Sequence, residues 1–231
     1  ALDAATGKLA ARRPIDARGH LLVRKDQLLL ADRETIRSYM SWEAARPALR
    51  RRIEQHPTDP GPALSLAYLA RETGHPEALS RAADQALAAL DRLAQQGSDR
   101  LSERRDAVFE ALLELAKKHE HLSNEHRRAM FRRVARVADT PRQQIAYHLG
   151  LGQLLVKMSE AKAAVEHYQT VLNRPQLADQ RLVIAGTRRH AGLEARSRLR
   201  QLIARHGHAI YAEYDDRARQ RFETLRAGRA S

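Results

Sequence analysis

The apolar residues of this chain change period near residue 40. Before that point they come in short blocks: Leu21-Leu22-Val23, then polar Arg24-Lys25-Asp26, then Gln27-Leu28-Leu29-Leu30. An apolar run, a polar turn and a second apolar run predict a pair of strands, and Ile36-Arg37-Ser38-Tyr39 predicts a further short one. Ala1 to Leu9 reads as the end of a strand, a tight turn at Thr6-Gly7 and the start of another strand. A module that opens on a strand end is expected to be the C-terminal piece of something larger. Three or four strands are too few to be stable without something to pack on.

From Trp42 onward the pattern is helical. Ser41 is placed to cap a helix with Leu49 and Ile53 on one face, and the stretch from Pro57 to Pro62 breaks it. A helical pair follows on either side of Gly74, from Leu64 to Ala70 and from Ala78 to Leu93. Gln95-Gln96-Gly97-Ser98 reads as a loop and makes 95–101 the best internal break. Ser102 opens a segment whose Val108, Leu112 and Leu115 share a helical stripe, and Asn124 opens another striped by Met130, Val134 and Val137. Thr140-Pro141-Arg142-Gln143 is a capping box with proline at the first helical position. Helix, turn, helix then recurs from 141 to 174, a long helical stretch with room for an interruption near Gly186 is expected from about Ala178 to His206, and a last helix from about Asp215 to Arg226. The expected organisation is a β segment over residues 1–40 and an α-helical domain over 41–231.

Composition narrows the classes. Aromatic residues make up only 4% of a chain that is 43% hydrophobic, which favours helices packed closely through small residues. There is no cysteine, so disulfides and thiolate metal sites are excluded. No apolar run approaches the roughly 18 residues of a membrane-spanning helix, and no targeting signal is visible. The net charge is +13, and only six of the 41 basic residues are lysine. An excess of this size points to acidic partners.

Two family resemblances add to this reading. Ala1, Leu2, Asp3, Thr6 and Gly7 match the Ala-Leu-Asp-x-x-Thr-Gly-x-x-x-Trp signature of the pyrroloquinoline-quinone-type β-propeller repeat, with Ala11 at the tryptophan position. The resemblance implies a last, degenerate blade at the C-terminal end of a bacterial propeller-repeat protein of the cell envelope, periplasm or cytoplasm. It implies no bound quinone. Residues 145–175 resemble a tetratricopeptide repeat, a helical hairpin of about 34 residues. Leu151-Gly152 stands at the family's Leu-Gly pair, Leu155 at the large position one turn on, and Ala164, Tyr168 and Val171 at the small, aromatic and small positions of the second helix. Residues 62–90 echo it through Leu66-Ala67, Gly74, Ala78 and Ala82. The fold class expected is therefore mainly α: an irregular tetratricopeptide-like α-solenoid of hairpins behind a short antiparallel β segment. A single hairpin cannot bury its apolar face, so stacking is what stabilises each one.

Chemistry-bearing constellations are few. His119, His121 and His126 fall at a helix junction and read as a solvated loop, and Gly207 makes His206-Gly207-His208 a helix end. Gly150-x-Gly152 lies after a helix cap, where a dinucleotide motif needs a preceding strand. No nucleophile elbow or paired-carboxylate motif accompanies the serines and histidines. Neither catalysis nor a metal or cofactor is expected. Two arginine clusters remain. Arg127, Arg128, Arg132, Arg133 and Arg136 form one; seven arginines against the single acid Glu194 between Arg181 and Arg205 form the other. On one helix Arg189, Arg196 and Arg200 would share a face able to bind phosphates.

The tetratricopeptide pattern places Ala146, Leu149, Gly150, Gln153, Val156 and Lys157 on the concave side. Gln153 and Lys157, one turn apart with long polar reach, are the first candidates for a partner's backbone or carboxylates, with Ala146 and Leu149 beside them. The function expected is a non-catalytic scaffold that docks a protein or peptide partner, with acidic partners favoured. The alternative is a nucleic-acid or anionic-polymer binder using the 181–205 arginines.

Overall fold

Helices dominate the chain, as the change of period predicts. The computed structural model describes residues 20–24, 27–31, 34, 36–117, 119–184 and 187–227. The residues Ala1 to Gly7 and Ala11, which carry the propeller resemblance, lie outside them. The chain divides into two units, residues 1–49 and 50–231, with α1 (Trp42–Gln55) running through the division.

In the first unit β1 (His20–Arg24), β2 (Gln27–Ala31) and β3 (Ile36–Met40) form an antiparallel meander in that order. Leu22 pairs with Leu29, and Leu29 pairs with Ser38. Arg24 pairs directly with Gln27, so the first residue of the polar triplet belongs to β1. Ser41 caps α1 as expected, its Oγ accepting from the Ala44 amide at 3.2 Å.

In the second unit helices follow one another as hairpins: α2 (Gly61–Glu72) with α3 (Pro76–Gln95), α4 (Leu101–Leu115) with α5 (Asn124–Ala135), and α6 (Pro141–Lys157) with α7 (Ala161–Asn173). Each hairpin packs chiefly on the one before and the one after, so the core is a continuous seam between helix layers. Residues 95–101 join α3 to α4 inside this unit. The predicted stripes are the buried ones: Val108, Leu112 and Leu115 on α4, and Met130 and Val134 on α5 with Val137 in the turn just after it. Then come the short helix α8 (Pro175–Ala178), the strands β4 (Arg181–Ile184) and β5 (Thr187–His190), α9 (Ala191–His206), a 3-10 turn at His208–Ile210 and α10 (Ala212–Ala227).

The expected helical stretch from about Ala178 to His206 is therefore corrected: its first half is a β-hairpin. Leu182-Val183-Ile184 is an apolar run with β-branched residues at 183 and 184, followed in sequence by Ala185-Gly186, and such a run before a glycine prefers a pleated conformation to a helix. The helix starts only at Ala191, once that run has ended.

The capping box of α6 is formed. Thr140 Oγ1 accepts from the Gln143 amide at 3.3 Å, and Gln143 Oε1 accepts from the Thr140 and Asp139 amides at 3.1 and 3.0 Å. Gln143 is buried because its Nε2 also donates to Asp106 Oδ1 at 2.8 Å, tying the start of α6 to α4.

The α2–α3 and α6–α7 hairpins share one turn. The His75 amide donates to the Ala70 carbonyl at 2.8 Å, and the Glu160 amide to the Leu155 carbonyl at 2.9 Å. This bond, reaching back five residues, closes a Schellman-type helix end and requires a left-handed residue at its apex. The first hairpin places Gly74 there (φ +74°), the second Ser159 (φ +62°). Serine in that region carries a steric cost that glycine does not. Ser159→Gly is accordingly expected to raise stability by about 0.5–1 kcal/mol, read as a higher urea midpoint at unchanged slope; a lower midpoint would show the turn to be unstrained.

Candidate functional site

Helix α6 presents three kinds of surface. Gly150 and Gly152 mark its close approaches: a Cβ at 150 would stand 2.9 Å from Phe131 Cε1 on α5, and one at 152 would stand 2.5 Å from Tyr168 Cε1 on α7. The Gly150-x-Gly152 spacing thus serves helix packing on both sides. Tyr168 fills the space left by Gly152 and is itself 2% exposed.

A third stripe, with Ala146, Leu149, Gln153 and Val156, faces a groove bounded on the other side by α9 and β4. One half, of about 360 Å³, is lined by Gln153 and Val156 of α6, Tyr168 of α7, and Glu194, Ser197, Arg198, Gln201 and Arg205 of α9. The other half, of about 380 Å³, is lined by Arg142, Ile145, Ala146 and Leu149 of α6, by Arg181, Leu182 and Val183 of β4, and again by Arg198. The first half carries more polar side chains, set beside Val156, Tyr168 and Leu202. The second has an apolar floor with arginines at its rim.

Arg198 is the residue common to both halves, and it is held in place. Its Nε donates to Glu194 Oε1 at 2.9 Å, its Nη1 donates to the Leu149 carbonyl at 3.0 Å, and its guanidinium lies over the Tyr168 ring, 5.9 Å from the centroid. A guanidinium fixed by a carboxylate, a carbonyl and a ring loses little further entropy when it meets a ligand. Burial pushes the Tyr168 hydroxyl pKa above its ordinary range, with Arg198 pulling the other way, so the phenol stays neutral beside the arginine. Glu194 also approaches Arg189 Nη1 at 4.0 Å.

The sequence candidates distribute unevenly over this groove. Gln153 is exposed in its more polar half. Ala146 and Leu149 line the apolar half, Leu149 with only 6% exposure. Lys157 is exposed in the last turn of α6 but is not among the lining residues. Arg142 lies outside the sequence candidates, and Arg181 and Arg198 enter them only as members of the seven-arginine cluster between Arg181 and Arg205. The signal that marks Arg198 is Glu194 four residues before it, the one acid in an arginine-rich run.

The three arginines expected on one helical face do not share a helix. Arg189 lies on β5, while Arg196 and Arg200 lie on α9. The helical period turns Arg196 and Arg200 away from the groove lined by Glu194, Arg198, Gln201 and Arg205. The other cluster, on α5, is largely engaged between helices. Arg133 clamps Asp84 of α3 through two bonds of 2.8 and 2.7 Å, Arg136 reaches Asp91 of α3 at 3.2 Å, and Arg128 reaches Glu160 at 2.6 Å. Arg127 is buried, donating to the Ala116 carbonyl at 3.1 Å. The histidines of the α4–α5 junction each have a separate acidic neighbour: Glu72 for His119, Glu120 for His121 and Glu77 for His126. Among the described residues no helix is long and apolar enough to cross a membrane.

The fold defines a mainly α, helical-repeat-like protein whose hairpins stack in sequence order. Comparison with protein-family models, with curated proteins and with solved structures finds no match.

Proposed function

We propose that this chain is a non-catalytic interaction module that takes an extended, acidic segment of a partner protein into the groove between α6, β4 and α9. It would serve as the tetratricopeptide-like arm of a propeller-repeat protein. The observation that carries the reading is Arg198, held by Glu194, the Leu149 carbonyl and the Tyr168 ring at the point where the two halves of the groove meet. Around it Arg142, Arg181 and Arg205 supply positive charge, and Gln153, Ser197 and Gln201 supply hydrogen-bonding side chains along the wall. Charges so arranged steer an acidic segment and fix its register.

Labelled peptides of graded acidic content, titrated against the whole chain, test this. Affinity is expected to rise with acidic content and to fall about tenfold in the Gln153→Ala, Arg205→Ala double variant at an unchanged melting temperature. Lys157→Ala, outside the lining, is expected to change it less than about threefold. Affinity indifferent to acidic content and to the double variant would sink the reading. Tighter binding of duplex DNA, lost on Arg196→Glu and Arg200→Glu, would move the function to the outer face of α9.

A further inference from the structure

The β4–β5 hairpin is a two-stranded sheet beside the helices, and among the described residues no other strand pairs with it. Its register is Arg181 to His190, Leu182 to Arg189, Val183 to Arg188 and Ile184 to Thr187. The Ala191 amide donates to the Gln180 carbonyl at 2.8 Å, one step beyond the last of these pairs. In an antiparallel ladder, hydrogen-bonded and non-hydrogen-bonded pairs alternate. The bonded pairs are therefore Gln180 with Ala191, Leu182 with Arg189 and Ile184 with Thr187. At Arg181 and Val183 the backbone N–H and C=O groups point outward from the free edge of β4.

That edge borders the groove. Arg181, Leu182 and Val183 line its apolar half in unbroken succession, and no residue of β5 does. Side chains alternate between faces of a strand, so three consecutive lining residues mean that the cavity runs along the strand's edge. Across it stands α6, with Ile145, Ala146 and Leu149. Val183 is 71% exposed.

We infer that the partner segment binds as a strand, adding to the free edge of β4 through the outward backbone groups of Arg181 and Val183. This rests on the groove reading above and specifies the form of its ligand. The ligand is a short stretch of alternating apolar and acidic residues. Its apolar side chains share the Leu182 face and meet Ala146 and the small exposed part of Leu149. Its acidic side chains share the face of Arg181 and Arg188, which occupy alternate positions of the two strands. Main-chain bonds then hold the segment while the side chains select it. The charge favours one occupant: Arg142, Arg181 and Arg198 line this half, Arg188 and Arg189 stand on the paired strand β5, and Glu194 is already bound to Arg198. A second copy of β4, carrying Arg181 itself, would place like charges side by side.

The test uses the whole chain and a labelled alternating Glu-Val peptide. Three peptides are compared: the parent, one N-methylated on one set of alternate residues, and one N-methylated on the other set. Methylation of the set that faces β4 is expected to weaken binding about tenfold or more, and methylation of the other set much less, because only one edge of the added strand pairs. On the protein side, Val183→Pro removes one outward N–H without touching the β4–β5 ladder, a position where proline is tolerated. It is expected to weaken the parent about tenfold, against less than about threefold for Val183→Ala. Equal effects of the two methylated peptides, or equal affinities of Val183→Pro and Val183→Ala, overturn strand addition. If other acidic peptides still bind in a manner sensitive to Gln153 and Arg205, the groove reading survives that result. If no acidic peptide binds, both fail.

Discussion

Gly152→Ala is expected to destabilise the protein by about 2 kcal/mol, and the same change is expected to be stabilising once Tyr168 has been reduced to alanine. In a helix interior the substitution by itself favours folding by about 1 kcal/mol, through the lower entropy of the unfolded chain. At this site the new methyl would stand 2.5 Å from Tyr168 Cε1 and 2.8 Å from Cζ. The ring cannot easily retreat: it is 2% exposed, and the Arg198 guanidinium lies over it. Overpacking of a rigid site costs about 3 kcal/mol at the upper end of its usual range, which outweighs the propensity gain. In a Tyr168→Ala background the clash is gone and the gain of about 1 kcal/mol remains.

Urea unfolding of the four proteins of the cycle gives the coupling directly. Additive effects would show that Gly152 and Tyr168 do not constrain one another. The α2–α3 hairpin illustrates the other solution to the same approach. Aligning its turn with that of α6–α7 places Ala67 at the position of Gly152 and Ala83 at that of Tyr168, both fully buried. Two medium residues replace a small and a large one. The large one matters to the groove, because Tyr168 is part of what positions Arg198.

How much of this was legible depended on range. Local codes read through: the Thr140 capping box, Ser41, and the Gly74 turn lie where their residues put them, because caps and turns are decided by a few adjacent side chains. The stripes on α4 and α5 read through because a 3.6-residue period is hard to imitate by chance over three turns. The Gly152–Tyr168 approach was legible in the residue types, a glycine without bulk on one helix of the hairpin and a large ring on the other. In the stretch from 178 to 206 the expected interruption near Gly186 falls between two strands, and the strand signal lay in Leu182, the β-branched pair Val183-Ile184 and the Gly186 after them, among residues that otherwise favour helix.

The groove was half legible. Its α6 wall holds Ala146, Leu149 and Gln153, three of the six residues for which the tetratricopeptide resemblance implies a concave position. The opposite wall depends on how α9 and β4 return to α6, a long-range fact that no local pattern contains. Arg133 with Asp84 teaches the same lesson: separated by 49 residues, they look in sequence like a surface cation and a surface anion, and only packing makes them a clamp.

Acid is expected to weaken the α6–α7 hairpin through a pair of histidines between its helices. His148 Nδ1 and His167 Nδ1 lie 2.9 Å apart, so one ring donates and the other accepts, and the bond exists only while the accepting ring is neutral. Tyr147 sits edge-on to both rings, at 4.9 and 5.8 Å between centroids. Among the charged groups around the pair, Arg174 opposes protonation of His148 and Arg128 that of His167, while Glu166 favours it at His167. Burial is the largest cause: it lowers the His148 pKa from 6.5 to about 4, and it lowers His167 as well.

The sign follows from proton counting. Below pH 6.5 the unfolded chain takes up protons that the folded one refuses, so the contribution is fully present above that pH and declines toward pH 4. The full slope of about 1.4 kcal/mol per pH unit is reduced by solvent at this half-buried ring, so His148 removes on the order of 1 kcal/mol by pH 4.5, and His167 acts in the same direction. Glutamine at both positions keeps a donor and an acceptor but does not titrate. The His148→Gln, His167→Gln variant should therefore lose markedly less stability than the parent between pH 7 and pH 4.5, measured by urea unfolding at each pH. Carboxylates elsewhere titrate in both proteins and cancel in the difference. Parallel stability curves would mean that the two rings protonate in place at their ordinary pH and that the contact between them does not help hold α6 on α7.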